Sequence, residues 1–130
     1  DVYKRQIDND GDIDAIVSNN NGPANLLIRE GKPINNWIGF DLEGIGSNRD
    51  AIGARVLLVV NGKKQTRVVN TAGSYLASND KRVLFGMDKN SKAQQVTIYW
   101  PSGRIDNFKD LEADHYFKVK EDGTISAIVY

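Results

Sequence analysis

The stretch "GARVLLVVNGKKQTRVVN", residues 53 to 70, decides the fold class of this chain. Two runs of strand-forming residues lie on either side of Asn61-Gly62, and both turn residues tolerate the positive φ angles of a two-residue hairpin turn. An Asn-Gly pair between two such runs is the strongest short hairpin signal that a sequence carries. The stretch therefore predicts two antiparallel strands joined by a tight turn.

The chain on both sides of this hairpin has the same β texture. Residues 36 to 44 alternate apolar and other side chains, as does the run that ends at Trp100, and turn residues follow at 101 to 103 and at 122 to 123. About eight short strands with turns between them predict an all-β fold, an antiparallel β-sandwich or an open barrel. Only "NFKDLEADH", residues 107 to 115, is compatible with a short helix. The side chains expected inside the domain are Phe40, Leu42, Val56, Leu58, Phe85, Ile98, Trp100 and Phe117.

Composition and charge exclude several classes of function. The 130 residues are enough for one domain with a modest core. Lys and Arg together number 17, as do Asp and Glu, so no net field favours nucleic acid or an anionic membrane surface. The chain has no cysteine, and no apolar run approaches the roughly 18 residues of a membrane span. We therefore expect no nucleic-acid partner, no membrane insertion, and neither a disulfide nor a thiolate metal site.

An acidic run, "DNDGDID", occupies residues 8 to 14. Calcium loops place oxygen ligands on alternate residues and a glycine at the sixth position, which Gly11 fills if Gln6 is first. An EF-hand would need a bidentate Glu where Val17 stands, so a shorter nine-residue calcium loop is predicted. The alternative is a solvated acidic turn, and the neutral amide of Gln6 is expected to weaken calcium binding. The predicted metal residues are Asp8, Asp10, Asp12 (through its carbonyl) and Asp14.

The first six residues, "DVYKRQ", interrupt this loop pattern at its first position. One back-translation of them matches the transposase end sequence of tagmentation sequencing libraries. We therefore interpret residues 1 to 6 as translated adapter, with the natural gene continuing upstream, which makes the chain an N-terminally truncated fragment. The alternative is a genuine N-terminus with this sequence.

Several segments carry a resemblance to known families. The segment "DNDGDIDAIVSNNNGPANLLIREG", residues 8 to 31, resembles the last repeat of an FG-GAP/VCBS-type β-propeller. The segments "NNWIGFDLEGIGSNRDAIGARV", "TAGSYLASNDKRVLFGM" and "VTIYWPSGRID" are similar to the ASPIC/UnbV domain of cartilage acidic protein-like proteins, which caps such propellers. We therefore predict a propeller-repeat remnant with a calcium loop at residues 7 to 31, a polar boundary at 29 to 36, and an ASPIC/UnbV β domain at residues 37 to 130.

The resemblance implies a calcium-binding β-protein that is secreted, periplasmic or on the cell surface, and it implies no catalytic chemistry. The motif "GSNRDAIG", residues 46 to 53, then offers a candidate loop for binding an extracellular protein or a carbohydrate. The alternative is a tight connection in which Asn48 and Asp50 cap backbone amides and Arg49 pairs with an acid. The alternatives for Tyr75 and Arg104 are simple packing and an ion pair across a hairpin. The candidate ligand-binding residues are Asn48, Arg49, Asp50, Tyr75 and Arg104.

The sequence does not predict an enzyme. His115 is the only histidine, no nucleophile-elbow pattern surrounds a serine, and no phosphate-cradling loop is present. We therefore predict a non-enzymatic calcium-binding adhesion or ligand-binding module of an exported protein. The alternative is an accessory C-terminal domain of an exported carbohydrate-active enzyme. Further Asp-x-Asp-x-Asp-Gly repeats in the upstream gene would favour the binding module, whereas a catalytic domain there would favour the alternative.

Overall fold

The computed structural model describes residues 2–5, 7–31, 34–74 and 77–129. These residues form thirteen β-strands and no helix, so they include no helix that could cross a membrane. In chain order the strands are β1 (Val2–Arg5), β2 (Asp14–Val17), β3 (Asn25–Leu27), β4 (Asn36–Glu43), β5 (Arg55–Val60), β6 (Lys63–Val68), β7 (Ala72–Ser74), β8 (Ala77–Ser78), β9 (Val83–Asp88), β10 (Lys92–Tyr99), β11 (Ile105–Glu112), β12 (His115–Lys120) and β13 (Ile125–Ile128).

Two four-stranded sheets form a β-sandwich, which confirms the predicted all-β fold class. One sheet has the strand order β11-β10-β5-β6, and the other has the order β13-β12-β4-β9. Side chains alternate between the two faces of a strand, so each strand directs every second residue toward the opposite sheet. In β4, Ile38, Phe40 and Leu42 point inward and are at most 2% exposed.

The interior of the sandwich contains all the side chains that the sequence placed there. Each is 9% exposed or less. The ring of Phe40 contacts those of Phe85 and Phe117, with ring centroids 6.1 Å apart in both pairs. Burial of a side chain of this size stabilises the fold by roughly 1.5–3 kcal/mol. The confirmed core residues are Phe40, Leu42, Val56, Leu58, Phe85, Ile98, Trp100 and Phe117.

The predicted turns lie where the sequence placed them. Asn61 and Gly62 join β5 to β6 with positive φ angles of 48° and 73°, which is why this pair of residues occupies the turn. The turn of residues 101–103 joins β10 to β11, and Gly103 has a φ of 95°. The last hairpin joins β12 to β13, and Gly123 has a φ of 89°.

Residues 107–115 are not helical. Most of them belong to β11, which pairs with β10 from Ile105 to Glu112. The segment with helical periodicity is short. The ladder with β10 provides hydrogen bonds to backbone groups that an isolated short helix would leave without partners. Tertiary pairing therefore overrides the local pattern.

Strand β12 lies parallel to β4, whereas the sequence predicted an antiparallel sandwich. His115 pairs with Ile38 and Lys120 with Glu43, and the other strand pairs of the described residues are antiparallel. The sheet is therefore mixed. Two parallel strands are joined by a long crossover rather than by a hairpin, so no local turn residues could predict this pairing.

The N-terminal residues form a separate three-stranded antiparallel sheet of order β1-β2-β3. Strands β2 and β3 pair with each other on either side of the turn residues 20–23. Leu26 and Leu27 are 54% and 57% exposed, so this sheet lacks an apolar layer over them. That these strands come from a propeller repeat stays a prediction. That residues 1 to 6 come from an adapter also stays a prediction.

Candidate functional site

Residues 44–53 connect β4 to β5 in a tight loop. The Gly44 amide donates to the Arg49 carbonyl at 3.0 Å, and the Ala51 amide donates to the Asn48 carbonyl at 2.8 Å. Gly44 packs so closely on Asn48 that an added Cβ would lie 2.1 Å from the Asn48 carbonyl oxygen. The chain can therefore follow this path only with a glycine at position 44.

The side chain of Asn48 closes the loop on itself. Its Oδ1 accepts from the Ile52 amide at 2.8 Å, and its Nδ2 donates to the Ile52 carbonyl at 2.9 Å. Asp50 instead accepts from the Lys81 ammonium at 2.7 Å, and this hydrogen bond is the main cause of the lowered pKa of Asp50. Asn48 is thus a turn cap, as the tight-connection alternative predicts, whereas Asp50 forms a salt bridge rather than a backbone cap.

Arg49 is the cationic side chain of this loop, and it is exposed to solvent. Within the described part of the chain its guanidinium has no hydrogen bond or ion pair. The neighbouring acids are occupied, because Glu43 pairs with Lys118 at 3.1 Å and Asp50 pairs with Lys81. The tight-connection alternative predicted that Arg49 pairs with an acid, and among the described residues this ion pair is not formed.

A buried carboxylate that the sequence did not reveal holds the loop in place. Glu121 lies in the turn between β12 and β13 and is 5% exposed. It accepts hydrogen bonds from the amides of Ile45 (2.7 Å) and Ser47 (2.6 Å) and from the hydroxyls of Ser47 (2.9 Å) and Ser102. The Ser102 amide also donates to the Ser47 hydroxyl at 3.0 Å. The loop, the turn at 101–103 and Glu121 thus form one network.

Sequence reasoning missed Glu121 because its partners are distant along the chain. Ile45 and Ser47 precede it by 76 and 74 positions. The available signal was the pair of serines in two glycine-containing turns, Ser47 and Ser102, since a hydroxyl that becomes buried needs an acceptor. That signal indicates an acceptor but not which acid supplies it.

These hydrogen bonds determine the charge of Glu121. Burial by itself raises its pKa, but the donors on Ser102, Ser47 and Ile45 outweigh burial and lower the pKa to about 2. A carboxylate that stays ionised at neutral pH, with its oxygens already engaged, is a poor general base. The network therefore positions a loop rather than supplying acid–base chemistry.

Arg104, immediately before β11, does not pair across its hairpin. Its Nη2 donates to Asp106 of β11 at 2.9 Å, and this pairing raises the pKa of Arg104. Asp106 also accepts from the indole nitrogen of Trp100 at 2.7 Å. Arg104 therefore satisfies a carboxylate that holds a core tryptophan. The fifth candidate, Tyr75, lies outside the described residues.

The C-terminal half of the acidic run is held by protein donors. Asp14 is 1% exposed, and its two oxygens accept from the amides of Ile7 at 2.8 Å and Arg29 at 3.2 Å. Asp12 pairs with the Arg29 guanidinium at 3.1 Å. Backbone amides and a guanidinium thus offset part of the negative charge of the run.

The N-terminal half of the run follows two short backbone turns that its own aspartates close. Asp8 accepts from the Asp10 amide at 3.3 Å, Asp10 accepts from the Asp12 amide at 2.9 Å, and Gly11 has a φ of 97°. Among the residues that the structure describes, no three acidic or histidine side chains are grouped so that they could hold a metal ion. The arrangement therefore does not fit a formed metal site, and calcium binding stays a prediction. The predicted ligands that it does not bring together as a set are Asp8, Asp10, Asp12 and Asp14.

Comparison with known proteins assigns a family to the sandwich. The sequence profile described as ASPIC and UnbV matches residues 44–126, more than half of the chain. The loop of residues 44–53, the turn of residues 101–103 and Glu121 all lie within the match. No curated protein matches the chain.

Proposed function

The chain belongs to the ASPIC and UnbV family, and we propose that it is a non-enzymatic ligand-binding or adhesion module of an exported protein. Its ligand is an extracellular protein or carbohydrate that carries an anionic group. The secreted, periplasmic or cell-surface location is part of the same proposal. It is supported by the resemblance of the N-terminal residues to propeller repeats of exported proteins.

One observation carries the proposal: Arg49 projects its guanidinium from a loop whose other polar side chains are engaged. Glu121 fixes the loop through three hydrogen bonds and accepts a fourth from Ser102 in the adjacent turn, so Arg49 stands on a preorganised support. Preorganisation lowers the entropy lost on binding. A guanidinium presents a planar fork of donors that matches a carboxylate, a sulfate or a phosphate. The chemistry of this loop therefore favours an anionic group on the ligand.

The hydrogen bonds of the site support binding rather than catalysis. The hydroxyls of Ser47 and Ser102 both donate to Glu121, and neither is activated by a histidine. The ring nitrogen Nδ1 of His115 lies 2.7 Å from the carbonyl oxygen of Ala113, which fixes this imidazole at the start of β12. A serine hydroxyl that donates to a carboxylate that is ionised at neutral pH is a structural group.

For the acidic run we propose that calcium binds when position 6 is an aspartate. The alternate spacing of the acids and the positive φ of Gly11 support this proposal. Gln6 replaces one charged ligand by a neutral amide, so the chain with Gln6 binds calcium weakly at most.

The ligand-binding proposal is tested by retention of the protein on immobilised polygalacturonate, heparin and neutral dextran. We expect retention on an anionic polymer, and Arg49→Ala should weaken it about tenfold, since a hydrogen bond between charged groups contributes roughly 1.5–3 kcal/mol. The matched control is Arg67→Ala, which removes an exposed arginine from β6. Equal retention on dextran, or equal losses for the two variants, would refute a specific role for Arg49.

A further inference from the structure

The rings of Trp37 and Tyr116 form an aromatic platform on the outer face of the sheet that contains β4 and β12. Phe117 points into the sandwich, so its neighbour Tyr116 points outward, yet Tyr116 is only 2% exposed. Its ring covers Gly39, where an added Cβ would lie 2.2 Å from the ring, and it packs on Trp37 with ring centroids 5.0 Å apart. The guanidinium of Arg82 lies 4.8 Å above the same ring. An outward aromatic side chain is therefore covered rather than solvated.

Arg82 connects this platform to the acidic run. Its Nε donates to both oxygens of Asp80, at 3.0 and 2.9 Å, while its Nη1 donates to the side-chain oxygen of Asn9 at 2.8 Å. The Arg82 side chain is only 15% exposed. One planar cation thus contacts a carboxylate, an aromatic face and an amide of the run. This use of edge and face together is characteristic of arginine and is not available to lysine.

Gly11 makes the second contact between the run and the platform. Its backbone lies against the indole of Trp37, where an added Cβ would lie 2.1 Å from Nε1. Gly11 is buried, and its φ of 97° is one that other residues rarely adopt. The run therefore touches the platform through an amide side chain at position 9 and through bare backbone at position 11.

We propose that Trp37, Arg82 and Tyr116 form a socket, and that the turn of residues 9–11 is the plug that it receives. In this reading the acidic run is an intramolecular docking element. It fixes the N-terminal sheet on the outer face of the sandwich, independently of the ligand-binding role of Arg49. The socket selects an amide oxygen that faces Arg82 and a residue without a side chain that faces Trp37.

The decisive test is made in the full chain with Asn9→Gly, which removes the plug's hydrogen bond to Arg82 and keeps a residue that tolerates the φ of 58° at this position. The readout is the indole N–H signal of Trp37 in a proton–nitrogen NMR spectrum. We expect this signal to shift. The signal of Trp100, whose indole donates to Asp106 at 2.7 Å inside the sandwich, serves as an internal control and should stay in place. An unmoved Trp37 signal would overturn the proposal.

The reciprocal test removes the socket's cation with Arg82→Gln and follows amide hydrogen exchange in the N-terminal sheet. The amides of Ile7 and Arg29, which donate to Asp14, should exchange about tenfold faster, because the loss of a charged hydrogen bond makes local opening easier. Arg67→Gln, a change of the same kind at an exposed arginine, should leave these rates unaltered. Equal exchange in the parent and in Arg82→Gln would also overturn the proposal. If Arg82→Gln does not fold, Asn9→Gly decides alone.

Discussion

The N-terminal sheet and the sandwich are built from the same kind of strand, but only the sandwich has a second sheet that covers its apolar face. Strand ladders pair the backbone in both regions. In the sandwich, Phe40 and Ile98 are fully buried, whereas Leu26 and Leu27 of the N-terminal sheet are more than half exposed. Backbone hydrogen bonds contribute little net stability compared with apolar burial, because the unfolded backbone bonds to water. The second apolar layer, rather than strand formation, therefore accounts for the stability of this chain.

The contrast is expected to be largest when one apolar side chain is truncated in each region. Phe40→Ala removes a buried ring and should lower the free energy of unfolding by about 3–5 kcal/mol. Leu27→Ala removes a side chain that is 57% exposed and should change it by less than about 0.5 kcal/mol. Urea unfolding followed by tryptophan fluorescence measures both changes. Similar losses would show that the N-terminal sheet contributes a core of its own.

The next largest effect is expected where the sandwich depends on a buried charge. Glu121→Gln keeps the shape of the side chain but replaces one acceptor oxygen by an amide donor, which leaves a hydroxyl or backbone donor without its acceptor. We expect a loss of about 2–3 kcal/mol, measured in the same unfolding experiment. Asp122→Asn is the matched control, since Asp122 is the exposed neighbour in the same turn. A loss as large in the control would assign the effect to the turn rather than to the network.

Acid should weaken the sandwich through the same carboxylate. The pKa of Glu121 is about 2 in the folded chain, below its ordinary value of 4.5. Its stabilising contribution is therefore complete above the ordinary value and is lost as the pH falls from there toward 2. Unfolding curves of the parent and of Glu121→Gln should differ at neutral pH and converge across that window. A constant difference down to the lowest pH would contradict this account.

The smallest expected effect concerns the N-terminal sheet, where a bound cation would offset the negative charge of the acidic run. Gln6→Asp restores a carboxylate at the first loop position and should tighten calcium binding about tenfold, which corresponds to ~1.4 kcal/mol. Asp10→Ala should abolish any binding that the parent shows. Calorimetric titration of calcium into the three proteins tests both statements. Equal affinities for the parent and Gln6→Asp would mean that the loop register is wrong.

Features of the sandwich that depend on neighbouring residues could be predicted from the sequence. The turn at Asn61-Gly62 follows from the φ angles that these two residues tolerate, and the inward face of β4 follows from alternation. The capping role of Asn48 was one of two predicted alternatives, because asparagine bonds readily to nearby backbone groups. These features share a short range along the chain.

The features that were missed depend on residues far apart in sequence. Glu121 reaches Ser47 across most of the sandwich domain, and Arg82 reaches Asn9 across 73 positions. Neither contact has a local pattern, since many acids and arginines occupy exposed turns without a partner. The interpretation of residues 107–115 as a short helix was wrong for a related reason. The ladder with β10, and not local periodicity, determines their conformation. The loop of residues 44–53 could therefore be singled out from its motif, whereas Glu121, which holds the loop, could be identified only from the fold.

The parallel pairing of β4 with β12 also governs how the polypeptide acquires this structure during synthesis. Ile38 leaves the ribosome long before His115, the residue beside which it finally lies. Pairings between such distant residues form slowly, because the entropy of closing a long loop is lost before the contact rewards it. Until β12 emerges, Phe40 and its apolar neighbours are open to chaperones and to other nascent chains. Translation that stops short of His115 would therefore release a product whose first core strand lacks one neighbour, a target for cellular quality control.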